Sequence, residues 1–199
     1  MGRSARSADY DAIADPYCYP DTTVLRNVPD IRDADALAEF EAVSTAQRAD
    51  EPLPEGRLSI RHYRAIHHHL FQDVYAWAGK FRTIRLGKDG SAFCYPENIA
   101  RETQWLFADL KRQRYLKGLS PEAFAAAAAH FLATLNAIHP FREGNGRTQI
   151  SFLTLLADLA GHPVNLDRLA PERFLNAMIE SFHGDEQPLM IEVQQLIDR

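Results

Sequence analysis

The chain has 199 residues, of which 46% are apolar and 25% charged, a balance typical of a globular protein in water. This length favours one domain, or one domain with a short appendage, and it is enough to bury a core without disulfide or metal cross-links. The formal net charge is −5, from 22 basic and 27 acidic residues. Nucleic-acid-binding domains normally carry a basic excess, so the composition argues against direct binding of DNA or RNA.

The cysteine content and the hydropathy pattern indicate a cytoplasmic protein. Cys18 and Cys94 lie far apart in the sequence and lack the spacing of a metal site, which fits a reducing compartment. No apolar run reaches 18 residues, and the first residues lack the apolar stretch of a secretory signal. We therefore expect no membrane association.

The chain divides into a short N-terminal segment and one larger domain. Residues 1–33 are polar and rich in turn formers, and we expect an extended N-terminal arm that lies on the domain. Residues 34–199 are expected to form the domain itself. Its first helix is predicted over residues 34–49, where apolar side chains recur at helical spacing.

The rest of the domain is predicted to be helical, apart from one hairpin. A stripe of apolar residues from Ile60 to Trp77 predicts a helix over residues 59–77. Residues 81–95 alternate in polarity around a Gly-Lys-Asp-Gly turn, which predicts a β-hairpin. Further helices are predicted over residues 97–117, 120–138, 146–160, 170–182 and 188–197. The fold class is therefore mainly α, a helical bundle with one β-hairpin.

Three successive histidines, His67, His68 and His69, lie on the predicted 59–77 helix. Adjacent helical positions point about 100° apart, so these rings cannot converge on one metal ion. We expect His67 beside the apolar stripe and the other two rings toward solvent.

The segment LNAIHPFREGNGRTQ, residues 135–149, carries the chemistry. Because Pro140 cannot continue a helix, the preceding helix should end near His139 and place its imidazole at the mouth of a loop. The Gly-Asn-Gly sequence that follows allows several backbone amides to converge at the start of the next helix, where anions bind. Arg147 adds a charge with bidentate geometry suited to phosphate.

Glu143 lies beside this expected anion site, where a bare carboxylate would repel phosphate. A Mg²⁺ ion that bridges the carboxylate and the phosphate oxygens removes the conflict. A base, a metal ligand and a phosphate cradle together favour phosphoryl or nucleotidyl transfer. The plainer alternatives are that Glu143 only caps the next helix and that Arg147 is a solvated first-turn residue.

The string from His139 to Arg147, within HPFREGNGRTQI, resembles the signature HxFx(D/E)GNGRxxR of the Fic (filamentation induced by cAMP) family. The similarity extends over much of residues 17–183, including the stretches YCYPDTTVLRN, IHHHLFQDVYAWAGKFRT and CYPENI. The resemblance implies a Fic-type helical bundle. In that family the hairpin, called the flap, lies over the active site and docks the target segment in extended form.

The resemblance also implies transfer of AMP from ATP to a Ser, Thr or Tyr hydroxyl of a target protein, with release of pyrophosphate. His139 would be the general base, since imidazole titrates near pH 6.5 and is mostly neutral at pH 7. Glu143 would hold Mg²⁺ against the phosphates, and Phe141 would anchor the loop in the core. The implied nucleotide-binding residues are Lys88 on the hairpin, Arg142, Gly144, Asn145, Gly146 and Arg147.

One position departs from the signature, because Ile150 stands where the family has a second arginine that grips the γ-phosphate. A charge-assisted hydrogen bond contributes roughly 1.5–3 kcal/mol, so its loss would weaken triphosphate binding about 10–150-fold. Either another cation substitutes, the candidates being Lys88, Arg85 and Arg142, or the donor differs. The alternatives to AMP transfer are phosphocholine or phosphate transfer, and a nucleotide-binding pseudoenzyme.

Many family members are silenced by a helix that carries (S/T)xxxE(G/N). The candidate glutamates here are Glu55, Glu97 and Glu143, and the residues four positions earlier are Glu51, Phe93 and His139, none of them Ser or Thr. The chain therefore lacks the internal inhibitory motif. We expect a small separate antitoxin to supply the inhibitory glutamate, which would make this chain the toxin of a toxin–antitoxin pair.

Overall fold

The computed structural model describes residues 15–88 and 91–197, and it describes Lys88 and Ser91 by their backbone only. Within these residues the chain forms seven α-helices and one two-stranded antiparallel hairpin. The helices are α1 (Ala34–Ala49), α2 (Ile60–Phe71), α3 (Pro96–Arg112), α4 (Pro121–Ile138), α5 (Asn145–Ala160), α6 (Pro171–Phe182) and α7 (Gln187–Leu196). The hairpin pairs β1 (Gly87–Lys88) with β2 (Ser91–Ala92). The predicted mainly α class with one hairpin is confirmed.

Side chains at the helix starts explain several of these boundaries. Asp33 accepts from the amide of Ala36 at 2.8 Å, and Ser59 and Ser120 cap α2 and α4 in the same way. Proline occupies the first turn of α3, α4, α6 and α7, where its missing N–H has no helical partner to lose. These start signals could all be identified in the sequence.

Two predicted helices end earlier than expected. The predicted 59–77 helix stops at Phe71, and the apolar residues that follow lie in turns. Within these turns Tyr75 stacks on Trp77, with ring centroids 4.3 Å apart. The 97–117 helix stops at Arg112, because residues 114–116 take positive φ values and form a short 3-10 helix. Apolar spacing alone did not separate a helix from a packed turn.

The core lies around α4, which contacts α3, α5, α6 and α7. Its apolar residues face every side, including Phe124, Leu132 and Leu135, all at most 1% exposed. Helix α2 contacts α1, α3 and α5. Helix α5 therefore packs against both α2 and α4, and these contacts hold the start of α5 after the turn.

The described part of the N-terminal segment, residues 15–33, packs onto the same core. Cys18 and Leu25 form an isolated antiparallel bridge, and Tyr19 and Val24 are buried. Residues 1–14 of the expected arm lie outside the described residues. Of the three successive histidines, His67 is buried and His68 exposed as predicted. The prediction for His69 is wrong, because its ring donates to the Arg48 carbonyl at 2.8 Å and its side chain is only 13% exposed.

None of the helices in the described part of the chain is long and apolar enough to cross a bilayer.

Candidate active site

The turn between α4 and α5 begins where proline stops the α4 hydrogen-bond ladder. Pro140 has no N–H to donate, and His139 takes a left-handed conformation with φ of 47°. The His139 amide still donates to the Leu135 carbonyl at 3.0 Å, so this residue caps α4. His139 is partly exposed as a residue and lies at the start of the turn, where the sequence predicted it.

The side chain of Asn145 closes the turn. Its Oδ1 accepts from the Phe141 amide at 3.0 Å, and its Nδ2 donates to the Phe141 carbonyl at 2.9 Å. The Phe141 ring is fully buried and stacks on His67 with centroids 3.8 Å apart. Phe141 therefore anchors the turn in the core, as expected. The sequence indicates a backbone role for Asn145, and the structure adds this side-chain role.

Helix α5 begins directly after Gly144, which has a φ of +82°. A Cβ at this position would lie 2.3 Å from the ring of Phe71, so both the backbone angle and the close approach require glycine. Gly146 instead has helical backbone, and a Cβ there would meet nothing within 4 Å. The first amides of a helix have no acceptor within it, so those of Asn145, Gly146 and Arg147 are available to an acceptor outside the helix.

The imidazole of His139 lies against the hairpin. It stacks on Phe93 with centroids 4.0 Å apart and an interplanar angle of 16°. Phe93 follows β2 and makes an edge contact with Phe182 at the end of α6. The hairpin therefore reaches the His139 ring directly.

Glu143 lies at the centre of the turn with its carboxyl about a quarter exposed. Its Oε1 accepts from the Gly144 amide at 2.9 Å, and its backbone carbonyl accepts from His67 Nε2 at 2.9 Å. Burial and the neighbouring Glu41 carboxylate raise the pKa of Glu143, while Arg147 acts in the opposite direction. A carboxylate in this setting is stabilised by any further cation that reaches it.

Arg147 lies between two carboxylates. Its Nη2 is 2.5 Å from Glu41 Oε1 and 3.6 Å from Glu143 Oε1. Its side chain remains 40% exposed. The turn thus brings together an imidazole, a carboxylate, a helix N-terminus and a guanidinium, which the sequence predicted as one set.

Residues 57–157 match the model of the Fic/DOC family. The chain belongs to the Fic/DOC family. It is 54% identical over 189 residues to a probable protein adenylyltransferase, y4lH, of Sinorhizobium fredii, a match that covers 94% of this chain and 98% of that protein. It is 36% identical over 179 residues to the protein adenylyltransferase VbhT of Bartonella schoenbuchensis, covering 88% of this chain and 37% of VbhT.

Solved Fic structures show the same fold. The VirB-translocated effector BepC of Bartonella tribocorum, crystallised with bound AMPPNP, superimposes with a TM-score of 0.81 at 29% identity. That match covers 92% of this chain and 96% of BepC. The Fic domain of a Bartonella quintana effector with bound ADP gives a TM-score of 0.80 at 32% identity, over 92% of this chain and 94% of that domain. The resemblance inferred from the motif and the Fic-type helical fold are both confirmed.

Arg142 is buried within the Fic turn. Its Nε donates to Asp15 Oδ2 at 2.7 Å, and both side chains are 7% exposed. Its Nε is therefore paired with a carboxylate in a buried site, and the assignment of Arg142 to nucleotide binding stays a prediction. In this Fic domain it ties the N-terminal segment to the turn.

The position of the missing second arginine holds a partly buried side chain. Ile150 packs against the core from α5 and presents no charge. Arg85, one candidate replacement, lies over the ring of Tyr95 and donates to its hydroxyl at 3.0 Å. The backbone of Lys88 pairs with Ser91 in the hairpin, but its side chain lies outside the described part, so its contact with nucleotide stays a prediction.

Two residues that hold the Fic site together were missed at the sequence level. Arg82 is a buried arginine whose guanidinium donates to the carbonyls of Ile84 and Cys94, one on each side of the hairpin, and to the C-terminal end of α4. Glu41 approaches Arg147 from α1, 106 positions away. No local motif marks either residue, since their partners are carbonyls or lie in distant elements.

Proposed function

We propose that this chain is a protein adenylyltransferase that transfers AMP from ATP to a hydroxyl side chain of a target protein. One observation carries the proposal: Glu143 and Arg147 lie 3.6 Å apart at the N-terminus of α5, and His139 ends α4 at the start of the same turn. The relatives named protein adenylyltransferases and the AMPPNP bound to BepC support it. In the reaction, the target oxygen would bond to the α-phosphorus while the bond to the β-phosphate oxygen breaks and pyrophosphate leaves.

His139 would take the proton of the attacking hydroxyl. Its backbone is fixed by its place as the α4 cap, and its ring is held flat against Phe93. A base fixed in this way keeps its orientation when the target arrives, so little ordering remains for the reaction itself. General base catalysis of this kind contributes about 10²–10⁴-fold in rate.

Glu143 would hold Mg²⁺ together with the phosphates of ATP. The fit rests on geometry, because the Glu143 side chain is about a quarter exposed and lies beside the N-terminus of α5. Among the described residues no three metal-binding side chains converge, so we propose that the ion binds with the nucleotide rather than alone. One carboxylate plus substrate phosphates is a common Mg²⁺ donor set, and the ion supplies neutralisation of the phosphate charge.

Two radiolabels test the donor and the activity together. The protein is incubated with lysate and α-³²P-ATP, and in parallel with γ-³²P-ATP, with His139→Ala as the control. AMP transfer labels protein only with the α-label and only with His139 present. Labelling from γ-³²P-ATP would instead indicate phosphate transfer, the alternative that Ile150 leaves open. Nucleotide binding without any label, unchanged in His139→Ala, would identify a pseudoenzyme.

We also propose that a separate antitoxin silences the enzyme in the cytoplasm. The support is that none of the Glu-Gly or Glu-Asn pairs has Ser or Thr four residues before the glutamate. Co-expression with the neighbouring reading frame, followed by purification of the tagged enzyme, tests this. Co-purification and relief of toxicity are expected, whereas an enzyme that is harmless on its own would contradict the proposal.

A further inference from the structure

The guanidinium of Arg147 is held from three directions by groups outside its own helix. Its Nη2 donates to Glu41 Oε1 at 2.5 Å, and its Nη1 donates to Thr45 Oγ1 at 3.1 Å. Its centre lies 4.6 Å above the ring of Phe71. Two hydrogen bonds and one stacked face leave a guanidinium very little rotational freedom.

The carboxylate that holds Arg147 is itself fixed. Tyr75 donates its hydroxyl to Glu41 Oε2, and the Tyr75 side chain is buried. The Thr45 hydroxyl donates to the Glu41 backbone carbonyl at 2.7 Å, one turn earlier on α1. Only 14% of the Glu41 side chain is exposed. The network therefore connects Tyr75 to Arg147 through groups that have little room to move.

The arrangement still leaves Arg147 able to bind a ligand. An arginine has five N–H donors, and the two bonds to α1 take only part of them. With 40% of its side chain exposed, Arg147 lies in the first turn of α5, beside the exposed Gly146. A phosphate at the helix N-terminus can therefore accept from donors that α1 does not use.

We propose that Glu41 is a positioning residue, which holds the Arg147 guanidinium in place for a phosphate of the nucleotide. This inference rests on the proposed function, because it assigns the phosphate to the nucleotide donor. Since residue 150 is an isoleucine, the signature contributes one arginine instead of two, and the orientation of that arginine bears on affinity more strongly. A pre-oriented donor loses less entropy on binding than a freely rotating one.

The negative charge of Glu41 acts against its positioning role, because it competes with phosphate for Arg147. A carboxylate 2.5 Å from Arg147 offsets its charge, so Glu41 would act as a competitor of phosphate if charge outweighed orientation. Glu41→Ala removes both the charge and the contact, whereas Glu41→Gln removes the charge but keeps an oxygen that accepts from Arg147. The pair of variants therefore separates orientation from charge.

The experiment measures the Kd of Mg²⁺–AMPPNP by calorimetry and the KM and kcat for ATP. For Glu41→Ala we expect Kd and KM to rise about tenfold, the loss of roughly one charged hydrogen bond, with kcat changed less than threefold. Glu41→Gln should recover Kd to within about threefold. Thr45→Val should weaken binding in the same direction, and Thr45→Ser, which keeps the hydroxyl, should not. The matched control is Glu39→Gln, the same change at an exposed position of α1.

Unchanged or tighter AMPPNP binding by Glu41→Ala would overturn the positioning role. If Glu41→Ala does not fold, as judged by urea unfolding, the Thr45→Val and Thr45→Ser pair decides by the same binding measurement. A different outcome would overturn the proposed function alone, namely that the unmodified protein binds AMPPNP but transfers no AMP. No AMPPNP binding by the unmodified protein would overturn both.

Discussion

The side chain of Arg82 donates from Nε to the backbone carbonyl of His139 over 2.7 Å. The same guanidinium reaches the carbonyl of Ile138 at 3.2 Å, and those of Ile84 and Cys94 at 2.6 Å each. The Arg82 backbone amide adds a bond to the Pro140 carbonyl. One buried cation thus neutralises the carbonyl end of α4 and fastens the hairpin to the residue proposed as the base.

We expect Arg82→Met to lower the free energy of unfolding by about 3 kcal/mol or more. Methionine keeps much of the apolar volume but leaves buried carbonyls without a donor, and hydrogen bonds to charged groups contribute about 1.5–3 kcal/mol each. Urea unfolding measures the change. Arg61→Met, at an exposed position of α2, should stay within about 0.5 kcal/mol of the unmodified protein. Equal unfolding midpoints for Arg82→Met and Arg61→Met would contradict the anchoring role of Arg82.

The two glycines of the Gly-Asn-Gly turn should respond to alanine in opposite ways. In Gly144→Ala the new methyl group meets the Phe71 ring at 2.3 Å and the backbone keeps a positive φ. Strain and overpacking together should destabilise the fold by about 3 kcal/mol. Thermal or urea unfolding reports this loss, and a variant as stable as the unmodified protein would show that the turn can rearrange.

For Gly146→Ala we expect a stability gain of about 0.5–1 kcal/mol, since alanine replaces glycine in helical backbone with open space around it. The same methyl group stands at the N-terminus of α5, where the nucleotide phosphates are proposed to bind. The affinity of the Gly146→Ala variant for Mg²⁺–AMPPNP, measured by calorimetry, should therefore fall even though its fold is more stable. Unimpaired nucleotide binding in this variant would place the phosphates elsewhere.

The sequence predicted the helices and the site turn well because both depend on local signals. The bounds of α1 were correct to the residue, and the start of α4 followed from Ser120 and Pro121. Pro140 correctly predicted that α4 ends near His139. These features depend on backbone chemistry within a few residues of each position.

Contacts between distant segments could not be predicted in the same way. Arg142 was a candidate nucleotide-binding residue, and no local signal indicated that its side chain pairs with Asp15, 127 positions earlier. Likewise Glu41 looked like one of several acidic residues on α1 until the fold placed it beside Arg147. The charge of a side chain is visible in a sequence, whereas its partner depends on packing.

His67 should make stability depend on pH. Its ring accepts from the Gly79 amide, donates to the Glu143 carbonyl and is fully buried, and burial lowers its pKa to about 3. Between pH 6.5 and 3 the unfolded chain binds a proton at this histidine that the folded chain does not. The free energy of unfolding should therefore fall on acidification, by about 1.4 kcal/mol per pH unit from this residue alone.

Urea unfolding of His67→Gln from pH 7 to pH 5 tests this contribution. The variant should be less stable at pH 7, and its stability should fall less steeply on acidification than that of the unmodified protein. His68→Gln, the same substitution at the exposed neighbouring position of α2, is the matched comparison. Parallel curves for His67→Gln and the unmodified protein would mean that His67 binds a proton as readily in the folded chain as in the unfolded chain.

The contribution of Glu143 to the free energy of unfolding should depend on pH in the opposite direction. Its proposed role needs the ionised carboxylate, which is the form that burial destabilises. Burial and Glu41 raise its pKa above the ordinary value of 4.5, so the folded chain holds this proton more tightly than the unfolded chain does. Its contribution is therefore most favourable at low pH and declines as the pH rises through the raised pKa. A cation that binds the carboxylate in the folded state would restore the loss.

We expect Glu143→Gln to be more stable than the unmodified protein at pH 8 in EDTA, by on the order of 1 kcal/mol, because the amide carries no buried charge. The difference should shrink as the pH falls toward 4.5, since the unmodified carboxyl then becomes neutral as well. Urea unfolding at each pH gives the comparison, and Glu55→Gln provides the control at an exposed loop position. With Mg²⁺ and AMPPNP present, only the unmodified protein and Glu55→Gln should gain stability. A Glu143→Gln variant that is less stable than the unmodified protein in EDTA at pH 8 would show that its ion pair with Arg147 outweighs the desolvation of the carboxylate.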